Sequence, residues 1–266
     1  MPSLANKVIW LTGASSGIGE ALAYELSRQP VKLILSARRK EELERVKGNC
    51  RKESQPNIRV LPLDLSLGET LKLSTEAAIQ MFGHVDILIN NGGISQRSLV
   101  RDTKLEVDRK IMEVNYFGTV ALTKFLLPHF LSRKAGHYVV VSSLTGKFGT
   151  PYRSGYAASK HALHGFFDAV RAELHNDNIR VTMICPGFIY TPITLSALTG
   201  DGTPLNKIDH AQYNGKPAAW CAQKIVQAIE KKKEEVYLAG REVLGVYVKR
   251  FFPRLFSKLI RKVDVR

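Results

Sequence analysis

The chain is poor in cysteine, in long apolar runs and in acidic residues, and each shortage closes off a class of protein. Three widely spaced cysteines, Cys50, Cys185 and Cys221, with no CxxC pair in 266 residues, read as reduced thiols rather than a disulfide framework or a structural zinc site. No run of about 18 apolar residues occurs, so no segment reads as a membrane-spanning helix. The seven histidines form neither an HExxH pattern nor a tight His/Asp group, so no metal is expected, and His161 and His164 read as surface or interface groups. Linkers rich in Pro, Gly or Ser, internal repeats and low-complexity stretches are missing too. That predicts a single domain over 1–266. Met1 to Asn6 is too short a lead for a signal peptide, which predicts a cytoplasmic protein.

The shortage of acid is concentrated. Against 39 Lys and Arg stand 24 Asp and Glu, a formal net charge of +15. Within 241–266, Arg241, Lys249, Arg250, Arg254, Lys258, Arg261, Lys262 and Arg266 face only Glu242 and Asp264. There Leu255, Phe256, Leu259 and Ile260 recur at helical spacing opposite the cations, a basic amphipathic pattern. Two readings stay open: peripheral contact with an anionic membrane surface, or docking of the apolar stripe on the protein's own core or across a dimer. No aromatic-interleaved basic motif or DNA-binding module accompanies the charge, so nucleic acid is not an expected partner.

What the chain does contain is a regular alternation. Strands are predicted at Lys7–Thr12, Lys32–Ala37, Ile58–Asp64, Val85–Asn90, His137–Ser143, Ile179–Cys185 and Glu234–Ala239, with helical stretches between them. Near-continuous apolar runs such as Tyr138-Val-Val-Val141 suit strands covered on both faces. The pattern predicts an α/β fold with a doubly wound, parallel, seven-stranded sheet of Rossmann type. Thr12, Asn90, Ser143 and Pro186 fall at strand carboxyl ends, where ligands bind in such sheets.

The glycine-rich run Thr12-Gly13-Ala14-Ser15-Ser16-Gly17-Ile18-Gly19 follows the first strand and opens a helix, the context in which such a loop cradles a pyrophosphate. Downstream, Tyr156 and Lys160 share a helix face by their i,i+4 spacing. A phenol beside a fixed cation is expected to titrate below its ordinary value, toward the range of useful proton transfer. These motifs, with Asn90-Asn91-Gly92-Gly93, Asn115, Ser143, Pro186-Gly187 and Thr191, resemble the single-domain branch of the short-chain dehydrogenase/reductase family over nearly the whole chain. One departure is Gly92, where the family usually has alanine. The stretches Leu35 to Arg39, Asn91 to Ser98 and Ala158 to Ala162 look most like the family's member 7 group and its bacterial counterparts, and more distantly like 11β-hydroxysteroid dehydrogenases.

The resemblance implies Tyr156 as general acid, Lys160 as holder of the nicotinamide ribose, Ser143 on the substrate oxygen, and Asn115 on a water-linked proton path. It implies cofactor contacts at Gly13, Ser15, Ser16, Gly17, Ile18, Gly19, Asp64, Leu65, Asn91, Gly92, Tyr156, Lys160, Pro186, Gly187, Ile189 and Thr191, and transfer of the pro-S hydrogen. It also implies a homodimer or homotetramer. The second strand ends in Ser36-Ala37-Arg38-Arg39 without an acid. A small hydroxyl followed by guanidiniums suits a 2′-phosphate, hence NADP(H) over NAD(H); the other reading makes Arg38 and Arg39 the charged start of a solvated helix. For Asp64, expected at the adenine, the other reading is a cap for the next segment.

The segment 187–215 is expected to form a substrate lid. Phe188, Ile193, Leu195, Leu198 and Leu205, with Phe148 and Tyr152, are expected to line an apolar cleft for a ketone, aldehyde or secondary alcohol of steroid-, retinoid- or lipid-like character. A non-enzymatic dinucleotide sensor or membrane-surface scaffold is the alternative, and the intact set Asn115, Ser143, Tyr156 and Lys160 speaks against it. Sugar epimerases and dehydratases run longer and carry a separate substrate domain for which this chain has no room.

Overall fold

The computed structural model describes residues 4–207 and 209–263; Asp264 and Arg266 of the basic segment lie outside the described residues. In chain order the elements are β1 (Val8–Thr12), α1 (Gly17–Leu26), β2 (Lys32–Ser36), α2 (Lys40–Asn49), β3 (Ile58–Val60), α3 (Leu71–Phe82), β4 (Ile87–Asn90), α4 (Leu105–Met112), α5 (Gly118–Arg133), β5 (Gly136–Val141), α6 (Ser154–Glu173), β6 (Ile179–Pro186), β7 (Ile189–Tyr190), α7 (His210–Tyr213), β8 (Lys216–Pro217), α8 (Ala218–Glu230), β9 (Glu235–Leu238), α9 (Leu244–Phe251) and α10 (Pro253–Ile260). The seven strands anticipated from the alternation form one sheet, ordered β3-β2-β1-β4-β5-β6-β9 and parallel throughout.

Alternation along β1 shows why the sheet is covered twice. Ile9 and Leu11 point into one core with Leu22 of α1 and Ile225 of α8, while Val8 and Trp10 point into the other with Leu122 of α5 and Phe167 of α6, as period-2 side-chain geometry requires. All five β1 residues are buried. The strand order reverses between β1 and β4, so the crevice opens at the carboxyl ends of those two strands.

One strand boundary and one small strand pair depart from expectation for backbone reasons. β3 stops at Val60 rather than Asp64, since Pro62 has no N–H to give to a ladder; Leu61 N and Leu63 N still reach Leu35 O and Ala37 O, at 2.9 and 3.1 Å, and carry Asp64 to the end of the sheet. β7 and β8, two residues each and paired in parallel, are too short to leave a period in the sequence. Between α4 and α5, Glu113–Phe117 winds as a π-turn, a distortion that shifts one residue out of helical register.

Candidate active site

The nucleotide end grows from the junction of β1 and β4. Thr12 Oγ1 accepts from Asn91 N and Gly92 N at 3.0 and 3.1 Å, and Asn91 Nδ2 donates to Thr12 O and Gly13 O at 3.1 and 3.2 Å. This lashes the two loops so closely that a side chain on Gly19 would sit 2.0 Å from Gly13 O, while Gly13 itself takes φ 65°. Ser16, ahead of α1, makes no side-chain cap bond, so the first amides of a ten-residue helix face the cleft as an anion site. A β-carbon on Gly92 would meet Leu65 Cδ1 at 2.7 Å; glycine there matches the position Leu65 takes.

One cleft of about 1020 Å³ gathers Gly13, Ser15, Ser16, Gly17, Ile18, Arg38, Arg39, Asp64, Leu65, Asn91, Gly92, Ser143, Tyr156, Lys160, Pro186, Gly187, Ile189 and Thr191 among its lining. Gly19 and Asn115 support the wall from behind. Arg38 and Arg39 are exposed at the end of β2, and among the described residues neither is within ion-pair distance of a carboxylate. Ser36 is a correction: its hydroxyl is fully buried and accepts from Trp10 Nε1 at 2.9 Å, so it takes no part in the site. Asp64 Oδ1 accepts from Ser66 N and Ser66 Oγ at 2.9 and 2.7 Å, a turn cap at the cleft edge.

Ser143, Tyr156 and Lys160 meet in the middle of that cleft. Ser143 lies just past β5; its hydroxyl accepts from Thr145 N and Oγ1 at 3.2 and 3.0 Å and hydrogen-bonds toward the Tyr156 phenol. Ser142 turns away to Lys160 O at 3.4 Å. Lys160 Nζ donates to Val141 O at 2.9 Å and stands 5.7 Å from the Tyr156 ring centre. Asn115, placed by the π-turn, accepts from Ile94 N at 2.8 Å and donates to Ile94 O and Ser159 Oγ at 3.0 Å each. A β-carbon on Gly93 would meet both Asn115 Oδ1 and Lys160 Nζ, at 3.0 and 3.7 Å, so both groups border that residue.

The electrostatics correct the sequence reading. Burial pushes the Tyr156 phenol above its ordinary value, and Ser143, Arg153 and Arg97 pull it part of the way back. Burial also lowers Lys160 to about 8, with neighbouring Cys185 acting in the opposite direction. The cations that pull the phenol down are thus Arg153 and Arg97 rather than Lys160.

A model of the short chain dehydrogenase family matches residues 7–201. The chain belongs to the short-chain dehydrogenase/reductase family. Dehydrogenase/reductase SDR family member 7B of Mus musculus is 42% identical over 261 residues, spanning 97% of this chain and 81% of that protein. Family member 7 of Homo sapiens is 44% identical over 255 residues, spanning 94% and 75%. A short-chain dehydrogenase from Streptomyces avermitilis superposes with a TM-score of 0.79 at 25% identity, over 98% of this chain and 100% of that one. Members of this family are oxidoreductases that bind a nicotinamide dinucleotide, and the glycine cradle and capless helix α1 fit such a group; the Asn90 side chain beside it is buried with neither polar atom partnered.

In this short-chain dehydrogenase the substrate end departs further from expectation. Phe148, Phe188, Ile193 and Leu195 line the cleft, but Leu198, Leu205 and Tyr152 do not. Leu198 packs against Val107 and Ile111 of α4, held by backbone pairing with Ser95 and Arg97. The opposite wall comes from a segment left undecided by the sequence: Leu244, Val248, Phe256, Leu259, Ile260 and Val263. Phe256 packs on Phe148, ring centres 5.3 Å apart, whereas Phe251, Phe252 and Leu255 stay exposed. Half of the amphipathic stripe is thus docked and half is open.

Gln96 went unnoticed in the sequence and organises the site. Its Oε1 accepts from Gly155 N and Tyr156 N at 2.8 and 3.3 Å, capping the helix that carries the phenol, and its Nε2 reaches Ser98, Thr103 and Ser154. The pairing spans 59 residues, and no local spacing signals it. His164 is a second correction. It is buried, not on the surface, with Cys185 Sγ 3.6 Å from Nε2 and Glu235 Oε2 3.6 Å from Nδ1. These three side chains have metal-ligating character, but Lys147 Nζ sits 2.8 Å from Glu235 Oε2 and supplies the positive charge itself.

Proposed function

We propose that the protein is an NADPH-dependent carbonyl reductase, running in reverse as an alcohol dehydrogenase, on an apolar ketone, aldehyde or secondary alcohol. The carrying observation is the convergence of Ser143, Tyr156 and Lys160 in one cleft whose outer walls are apolar. Arg38 and Arg39, exposed without acidic partners at the end of β2, favour a 2′-phosphate and thus NADP(H). When bound, the cofactor supplies or accepts hydride.

The chain's residues then divide the proton work. A Tyr156 phenol raised by burial is protonated at neutral pH and gives its proton to the carbonyl oxygen. Ser143 Oγ donates to the same oxygen as charge develops on it. Lys160 holds the ribose hydroxyls and keeps a cation near the phenol as it loses its proton. Asn115, which borders the same Gly93, supports a water path that reprotonates this pair. Pro186, Gly187, Ile189 and Thr191 border the nicotinamide; Gln212 fixes Thr191 Oγ1 at 3.2 Å.

Two partner readings accompany this one. Phe117 and Phe125, exposed beside and on α5, favour association of copies through that face. The open half of the C-terminal stripe, with Phe251, Phe252 and Leu255 exposed among Lys249, Arg250, Arg254 and Lys258, favours peripheral contact with an anionic membrane. Among the described residues no helix is long and apolar enough to cross a bilayer.

The test is NADPH oxidation across a panel of bulky ketones and aldehydes, with Tyr156→Phe beside the native protein. Loss of general-acid catalysis lowers kcat by about 10² to 10⁴, with NADPH affinity unchanged. Near-native turnover in Tyr156→Phe overturns the assignment.

A further inference from the structure

The lid buries an amide and leaves the aromatic ring beside it in solvent. Gln212 is 7% exposed and lines the cleft, whereas Tyr213, the next residue, is 65% exposed. A buried amide costs free energy unless it is hydrogen-bonded, so a side chain that served only to fill this space would be apolar. The amide has partners, and both lie in the segment expected to hold the nicotinamide.

Gln212 Nε2 donates to Ile189 O and, at 3.2 Å, to Thr191 Oγ1. Chemistry fixes which end of the amide faces them: a carbonyl oxygen only accepts, so the nitrogen must point at Ile189. Its two N–H groups then serve the two oxygens, one each. The reach of the Thr191 hydroxyl to Ile189 O is 3.4 Å, long for a hydroxyl donor, so the amide is the closer constraint on that hydroxyl. Ile189 and Thr191 are themselves buried and line the same cleft.

The amide is held on both sides. Tyr213 of α7 packs edge-on against Tyr190 of β7, ring centres 5.7 Å apart. Beyond α7, Lys216 N donates to Phe188 O at 2.9 Å, and Gly215 passes so near that a β-carbon on it would meet that oxygen at 2.7 Å. Ahead of α7, Asp209 Oδ2 accepts from Arg97 Nε at 2.5 Å. Arg97 lines the cleft and also donates to Gln96 O at 2.6 Å, next to the side chain that caps α6. The lid helix therefore spans the cleft wall from the head of the Tyr156 helix to the Ile189–Thr191 turn.

We infer that Gln212 is a positioning residue that makes the lid part of the nicotinamide site: it fixes the Ile189 carbonyl and the Thr191 hydroxyl, so that the grip on the carboxamide depends on where α7 sits. The inference rests on the placement of the nicotinamide beside Ile189 and Thr191 proposed above. Gln212 touches neither hydride nor proton, and its effect is confined to the nicotinamide half of the cofactor.

Calorimetry with NADPH and with 2′-phospho-ADP-ribose, the same molecule without its nicotinamide, isolates that half; NADH and ADP-ribose replace them where NADPH does not bind. The native protein binds the intact dinucleotide more tightly than the fragment. Gln212→Met, which matches the stem and fills the same space, weakens the intact dinucleotide by about tenfold, the scale of a buried acceptor left unpaired, with the affinity of the fragment unchanged. Gln212→Glu, which keeps the shape but turns an acceptor toward Ile189 O, loses at least as much. A native protein that binds both molecules equally fails the nicotinamide placement and this inference with it. An advantage for the intact dinucleotide that survives in both variants overturns the role of Gln212 alone. Equal weakening of both molecules in Gln212→Met overturns it too, since a general loosening of the fold does not single out the nicotinamide.

Discussion

The two ends of the cleft are built in opposite ways. The nucleotide end comes from short stretches at the carboxyl ends of neighbouring strands β1, β2 and β4, lashed by Thr12 and Asn91. The substrate end is assembled from segments far apart in the chain, around Arg97, Phe148, Phe188 and Phe256, with exposed apolar residues still at its rim. A task common to many proteins, holding a dinucleotide, is met by backbone geometry that glycine placement dictates. A task particular to one protein, choosing a substrate, is met by side chains that only tertiary contact brings together.

That difference can be broken or sharpened by substitution, starting where the two ends touch. Gln96→Leu removes the acceptor for Gly155 N and Tyr156 N and lets the head of α6 shift. We expect kcat to fall by about 10², the cost of misplacing a reacting group by an ångström, while NADPH affinity holds. An unchanged kcat shows the phenol to be positioned without it. Phe256→Ala acts on the substrate end alone: it removes the ring packed on Phe148 and raises KM for apolar carbonyls by about tenfold, the worth of a partly buried aromatic contact. A parallel loss of NADPH affinity would show the two ends to be one unit.

The smallest effect is on pH dependence. Burial holds His137, near the amino-terminal end of the interior strand β5 and so away from the cleft, at about 4 against an ordinary 6.5. The unfolded chain therefore takes up the proton first. The stability this contributes is present above pH 6.5 and is lost as pH falls toward 4, at up to about 1.4 kcal/mol per pH unit. Acid unfolding followed by near-ultraviolet dichroism shows both ends melting together in that window, because one sheet carries them, and His137→Asn flattens the slope.

Legibility followed the same divide. The seven strands, the glycine loop and the shared helix face of Tyr156 and Lys160 were readable because each is a local pattern: a period of two, a glycine where a β-carbon collides, a pair one helical turn apart. Ser36 was misread because nothing nearby tells that Trp10, across a strand pair, takes its hydroxyl. Leu198 and His164 were misread because apolarity and helix position do not say which wall or core a side chain joins. Gln96 and the docked half of the C-terminal stripe depend on contacts between distant segments, and the pull of Arg153 and Arg97 on Tyr156 could not be seen at all from the Tyr156 and Lys160 spacing.

The claim at the centre of the account is that exposed guanidiniums after β2 choose the cofactor. Fluorescence titration of the protein with NADPH and NADH, repeated on Arg38→Ala, tests it most directly. The account predicts tighter binding of NADPH, with an advantage that falls by about tenfold or more in the variant, the worth of a charge-assisted hydrogen bond to phosphate, while NADH binding stays level. NADH binding equal to or tighter than NADPH in the native protein would contradict it and turn the search toward alcohol oxidation.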